Sequence, residues 1–258
     1  MKRLLKGKKI LVTREMSQAK PFSDLIELAG GIPIEVPLIT IQCRNINIEM
    51  QCDQFNWIIF TSAHGVNCFF KSFNQNKALN YVQFATVGHK TDKALNKYGY
   101  ESAFIPSTYN AEAMAEEFFE QFSVANNILL VQGNLSRKLL INELEKRNLS
   151  FDSIVVYDTK CNLEIKENVN HVLTTNKFDF ITFTSPSTVR AFMEMLDNQS
   201  DLKKTLQVPA VCIGTTTEKT ALQFNFTHTI LPKMFTIESM VERMIEFNQM
   251  EVQDGSDI

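Results

Sequence analysis

The feature that most constrains this chain is an ordered internal repeat. Phe55-Asn56-Trp57-Ile58-Ile59-Phe60-Thr61-Ser62 aligns with Phe178-Asp179-Phe180-Ile181-Thr182-Phe183-Thr184-Ser185, and five of the eight positions are identical. Val66 and Phe69 then match Val189 and Phe192. Ala85-Thr86-Val87-Gly88 is echoed by Val211-Cys212-Ile213-Gly214, and Phe104-Ile105-Pro106 by Ile230-Leu231-Pro232. One such match is weak, but a series that keeps its order reads as duplicated architecture.

Short apolar runs alternate with helix-period segments throughout. Expected strands are 9–13, 35–41, 56–61, 83–88, 102–105, 127–131, 153–158, 179–184, 210–214 and 227–231. Between them, segments such as 18–29, 111–122, 136–147 and 237–247 space apolar residues by three and four, as in Met114, Phe118 and Phe122. This alternation means β-α-β units and parallel sheets covered on both faces. Ten strands suit two sheets better than one. The 258 residues agree, at roughly 150 per domain. The fold expected is α/β: two similar doubly wound, flavodoxin-like parallel-sheet domains with a cleft between them. Segment 9–13 with its helix resembles 127–131 with its helix, and each is followed by an extended run. One domain is therefore expected to be contiguous over 41–158. The other combines 1–38 with 161–258, and linkers lie near 39–40 and 159–160. The polar end, 250–258, is expected to fray.

Composition narrows the function. Lys plus Arg is 26 against 29 Asp plus Glu, a formal charge of −3. That excludes a broad basic surface for nucleic acid, though not a small anion held by local groups. No apolar run approaches the ~18 residues of a membrane span, and the basic start lacks the ~7–15 apolar residues of a secretory signal. The cytoplasm is the expected compartment. Cys43, Cys52, Cys68, Cys161 and Cys212 are odd in number and form no C-x-x-C pair. They are expected to be reduced core thiols rather than a disulfide framework or zinc site. His64, His89, His171 and His228 stand apart, so metal chemistry has no support. No Walker loop, dinucleotide fingerprint or G-x-S-x-G elbow occurs.

What remains is at the strand ends, where open parallel sheets bind ligands. They read Thr13-Arg14, Thr61-Ser62, Gly88-His89-Lys90-Thr91, Gln132-Gly133-Asn134, Thr184-Ser185-Pro186-Ser187 and Gly214-Thr215-Thr216-Thr217. Hydroxyls here either cap helices or join free N–H groups in binding carboxylates and phosphates. Six such junctions favour a ligand with several anionic groups. Arg14 is either a bidentate carboxylate partner or a surface ion pair with Glu15 or Asp24.

These motifs resemble one family. Ile10-Leu11-Val12-Thr13-Arg14 with Gln18-Ala19, the run Trp57–Ser62, Phe183-Thr184-Ser185-Pro186-Ser187 and Ile213-Gly214-Thr215-Thr216-Thr217 look like uroporphyrinogen-III synthase, over Lys8 to about Phe247. The resemblance implies a cofactor-free lyase of tetrapyrrole (haem and sirohaem) biosynthesis. Its substrate is hydroxymethylbilane, a linear tetrapyrrole with eight carboxylates. Its product is uroporphyrinogen III, cyclised with loss of water and inversion of ring D. The family's tyrosine falls on Tyr157, either an aid to hydroxyl departure or a packing residue at a linker. The substrate-binding residues implied or read from strand ends are Arg14, Thr61, Ser62, Gly88, Thr91, Gly133, Thr184, Ser185, Gly214, Thr216 and Thr217. Ala63-His64 and Glu15 depart from the family pattern, and His64 adds a candidate contact. A monomer is expected, with transient contact with the preceding pathway enzyme. The rival readings are a non-catalytic two-lobed module for small anions, and a phosphosugar isomerase-like enzyme, for which no base is evident.

Overall fold

The computed structural model describes residues 4–46, 54–73, 79, 81–108, 110–122, 127–196 and 199–254. The chain forms two compact units, 1–40 with 160–258 and 41–159.

The first unit contains β1 (Lys9–Val12), α1 (Met16–Leu28) and β2 (Ile32–Glu35) from the start of the chain. Its later part contains α6 (Lys166–Thr175), β8 (Phe180–Phe183), α7 (Pro186–Met195), α8 (Gln199–Leu206), β9 (Ala210–Cys212), α9 (Thr215–Gln223), β10 (Thr229–Ile230) and α10 (Ile237–Asp254). The second unit contains β3 (Ile39–Cys43), β4 (Trp57–Phe60), α2 (Ala63–Ser72), β5 (Gln83–Thr86), α3 (His89–Asn96), α4 (Ala111–Gln121), β6 (Ile128–Gly133), α5 (Leu139–Lys146) and β7 (Phe151–Cys161). Strands β3 and β7 carry the chain across the unit boundary.

In the first sheet the order is β2-β1-β8-β9-β10, with every neighbouring pair parallel. In chain order this is 2-1-3-4-5. The second sheet runs β5-β4-β6-β7-β3. Counted from β6, its strands β7-β6-β4-β5 fill the first four places of that order, and β3 is added beyond β7. Two expectations need correction. The 102–105 run makes only one bridge, Ala85 to Phe104. The 35–41 run breaks into the end of β2 and the start of β3, which belong to different sheets.

One edge of the second sheet departs from the expected parallel arrangement. Arg44 N donates to Val156 O at 2.9 Å and Asn162 N to Leu38 O at 2.8 Å. The paired numbers rise on one strand and fall on the other, so β3 runs antiparallel to β7 on an otherwise parallel sheet.

Both sheets are covered on two faces, which is why their strands read as continuous apolar runs. Alternation still decides which face each residue serves. Ile58 and Phe60 enter one cluster with Phe69, Phe70 and Leu129, while Trp57 and Ile59 enter the opposite one with Phe118 and Leu130. Leu11 faces Phe183 and Phe192, and Ile10 and Val12 face Phe22 and Met240. Helix α10 continues to Asp254, past the expected start of fraying, and residues 255–258 lie outside the described ones.

The cysteines depart from the reduced-thiol expectation. Cys43 on β3 and Cys68 on α2 form a disulfide, with α-carbons 5.2 Å apart. The pair is 25 residues apart in sequence, and only the packing of α2 against the edge of the sheet brings the two together. Cys161 and Cys212 are free thiols, and Cys52 lies outside the described residues. Among the described residues, no helix is long and apolar enough to cross a membrane.

Candidate functional site

The second unit builds its site around a bulge. Strand β6 pairs with β7 residue for residue until Gln132 meets Val155; the next pair is Gly133 with Tyr157. Val156 is the extra residue. A bulge of this kind re-aims the side chain that follows it. Here consecutive Val156 and Tyr157 enter the same core cluster, where a regular strand would send them to opposite faces. Asn134 holds the displaced segment: its N–H donates to Tyr157 O at 3.1 Å, and its Oδ1 accepts from Thr159 N at 2.8 Å.

The tyrosine ring lies against Gly133. A β-carbon at that position would sit 2.4 Å from Tyr157 Cζ, 2.6 Å from Cε2 and 2.7 Å from Oη. A glycine is therefore needed for the ring to rest where it does. The Oη lies 3.0 Å from Ser62 Oγ. Ser62 is the N-cap of α2, and its Oγ accepts the Gly65 N–H at 3.0 Å. A serine hydroxyl has one donor and two acceptor sites, so capping leaves it free to serve the phenol as well. The His64 ring lies 5.9 Å from that of Tyr157. Beside them Thr61 Oγ1 donates to Val131 O at 3.3 Å. Arg44 grips Asp158 with two bonds of 3.1 and 2.7 Å.

Burial raises the Tyr157 pKa above its ordinary value, and the Ser62 hydrogen bond works in the opposite direction. The larger effect keeps the phenol protonated and able to donate a proton or hydrogen bond.

The duplicated strand ends divide into two kinds. After β4 and β8 the helices open on serine. Ser185 Oγ caps α7 by accepting Thr188 N–H at 3.2 Å and lies 2.8 Å from Ser187 Oγ, with half-buried Thr184 before it. After β5 and β9 the helices open on Gly88 and Gly214, and neither has a side-chain cap. In α9, Thr217 and Glu218 N–H groups turn back to Gly214 O. Those of exposed Thr215 and Thr216 have no acceptor among the described residues. Thr91 and Thr217 occupy equivalent third helical positions, but their side chains are 6% and 1% exposed. Of the threonines assigned to substrate from sequence, Thr91 and Thr217 are therefore buried, whereas Thr216 is exposed at the start of α9.

Arg14 forms neither ion pair considered from sequence. Its Nε and Nη2 both bond Gln18 Oε1, while Glu15 caps α1 through Ser17 N. Its Nη1 is buried without a partner among the described residues. Burial lowers the Arg14 pKa, while Glu15 and Glu238 oppose that shift. The sequence reading missed the bulge and the contact between Gly133 and Tyr157. Gly133 reads as a strand-end glycine, and nothing local marks the residue it faces.

Strand ends furnished with hydroxyls, open amides and one neutral phenol define an α/β enzyme with no described cluster of metal ligands. The family model for uroporphyrinogen-III synthase HemD matches residues 20–242. A porphyrin biosynthesis protein HemD of Ruminiclostridium josui is 28% identical over 98% of this chain, which spans about half (51%) of that protein's length. A putative uroporphyrinogen-III synthase of Methanocaldococcus jannaschii is 29% identical over 91% of this chain and 96% of its own. The uroporphyrinogen-III synthetase structure from Helicobacter pylori 26695 shares the fold, with a TM-score of 0.64 at 18% identity over 93% of this chain and 99% of that one. The chain belongs to the uroporphyrinogen-III synthase family, cyclising lyases of porphyrin biosynthesis.

Proposed function

We propose that this chain converts hydroxymethylbilane to uroporphyrinogen III, with Tyr157 as the residue that assists departure of the substrate hydroxyl. The observation that carries this reading is the buried, protonated phenol held by Ser62 and Gly133 in a chain of this family. Electron density from the terminal pyrrole nitrogen expels the hydroxyl as Tyr157 donates its proton, so water leaves. The resulting azafulvene is attacked by the substituted carbon of ring D, and the spiro intermediate rearranges with that ring inverted. The phenolate regains a proton when the last ring rearomatises. The chain's part is positioning with a modest proton-transfer contribution.

The eight carboxylates call for donors, and this acidic chain offers local ones. The open N–H groups of Thr215 and Thr216, the unpaired Arg14 Nη1 and the hydroxyls of Thr61, Thr184 and Ser185 fit that demand. We read each unit as a flavodoxin-like domain, since the first has flavodoxin's order 2-1-3-4-5 and the second keeps four of those places in β7-β6-β4-β5. The domains are then 1–38 with 161–258, and 41–158. We take the chain to work as a cytoplasmic monomer that receives its unstable substrate through transient contact with the enzyme making it. The disulfide is unusual for that compartment, so thiol titration after cytoplasmic expression tests whether the bridge forms there.

The deciding experiment supplies freshly made hydroxymethylbilane and separates the oxidised products by isomer. Type III product supports the reading. Type I alone, the uncatalysed outcome, refutes it.

A further inference from the structure

Among the large apolar side chains exposed on the described surface, two are adjacent in the chain. Met234 is 62% and Phe235 64% exposed, in the segment between β10 and α10. A β-carbon on Gly214 would lie 3.5 Å from Phe235 Cγ and Cδ1 and 3.8 Å from Cδ2. The root of the ring is thus seated on the glycine that opens α9, just past the carboxyl end of β9, while the residue as a whole stays largely exposed.

The segment holds this display in place. Thr236 N donates to Met234 O at 2.9 Å, and Ser239 N to Thr236 Oγ1 at 3.2 Å. Met234 N reaches Ser239 Oγ at 3.4 Å. Pro232 before it and Ile237 after it are buried. An aromatic ring kept in water by an ordered turn gains nothing from folding and invites a flat apolar partner.

The internal repeat supplies a second observation. Gly214 and Phe235 are 21 positions apart, and so are Gly88 and Tyr109 in the other copy. Tyr109 lies outside the described residues. The helix after each aromatic is capped alike: Ala113 N donates to Asn110 Oδ1, as Ser239 N does to Thr236 Oγ1. An aromatic in step with the helix-opening glycine thus recurs in both copies.

We infer that Phe235 is a specificity-determining substrate contact, its exposed ring stacking on one pyrrole ring of the linear tetrapyrrole. The substrate consists of flat, electron-rich rings, and aromatic pairs favour offset or edge-on contact. Holding one pyrrole delays the uncatalysed closure that gives the type I isomer. This inference rests on the function proposed above.

The test compares the full chain with Phe235→Ala and Phe235→Trp on fresh hydroxymethylbilane, with a thermal melt as the folding control. Expected for Phe235→Ala is a KM raised about three- to ten-fold, with kcat within about two-fold. Its type III fraction should fall at low substrate, and its melting temperature should match wild type. Phe235→Trp is expected to keep a wild-type KM. An unchanged KM in Phe235→Ala overturns the inference, as does equal impairment of both variants, which would make the seat on Gly214 the only role. Wild-type protein yielding type I alone overturns the proposed function instead, so the two failures are distinguishable.

Discussion

Replacing Gly133 with alanine tests the site by the smallest possible addition. The new carbon would stand 2.4 Å from Tyr157 Cζ, against about 3.5–4.0 Å for ordinary carbon contact. The ring must retreat by about 1 Å, and its Oη then loses the 3.0 Å contact with Ser62. A displacement of about 1 Å at a reacting group costs about 10²-fold in rate. Gly133→Ala is therefore expected to lower kcat about as much as losing the hydroxyl in Tyr157→Phe, and combining the two should add little. Initial rates on fresh hydroxymethylbilane, with isomer separation, measure this. In a Tyr157→Ala background the clashing ring is gone, so adding Gly133→Ala should cost no further melting temperature and no further rate. Wild-type rate and product in Gly133→Ala would refute the reasoning.

Tyr157→Phe alone is expected to slow turnover about 10- to 100-fold rather than abolish it, since proton transfer supplies a limited share and water substitutes; an unchanged rate removes Tyr157 from the mechanism. Ser62→Ala removes both the α2 cap and the phenol's partner; stability should drop by about 1 kcal/mol in urea melts, with slower turnover besides. The Cys43–Cys68 bridge leaves at most three of five cysteines titratable in denaturant without reductant, and reducing it should lower stability by about 3 kcal/mol, given its 25-residue separation; five reactive thiols before reduction would argue against the bridge. Burial pushes the Cys212 thiol from 9.0 to about 12 and raises Tyr157 as well. The folded chain then holds protons that the unfolded chain gives up, so this stability is whole below pH 9.0 and is lost as pH rises towards about 12. Urea midpoints at about pH 8 and about pH 10.5 should fall in that order, and equal midpoints would contradict it.

The sequence by itself determined the alternation of strands and helices, the duplication and the strand-end chemistry. These are carried by local periodicity and by residue types next to one another in the chain. Apolar runs buried on both faces, as at Trp57–Phe60, need no knowledge of their partners to be read as strands. The same locality hid what depends on register. The bulge that turns Tyr157 towards Ser62 arises from how β6 and β7 align. The antiparallel β3 edge, the Cys43–Cys68 bridge and the burial of Thr91 and Thr217 likewise depend on which segments pack together. Only the tertiary structure decided that Gly133 is where the tyrosine ring rests, because a missing side chain acquires meaning only from what fills its space.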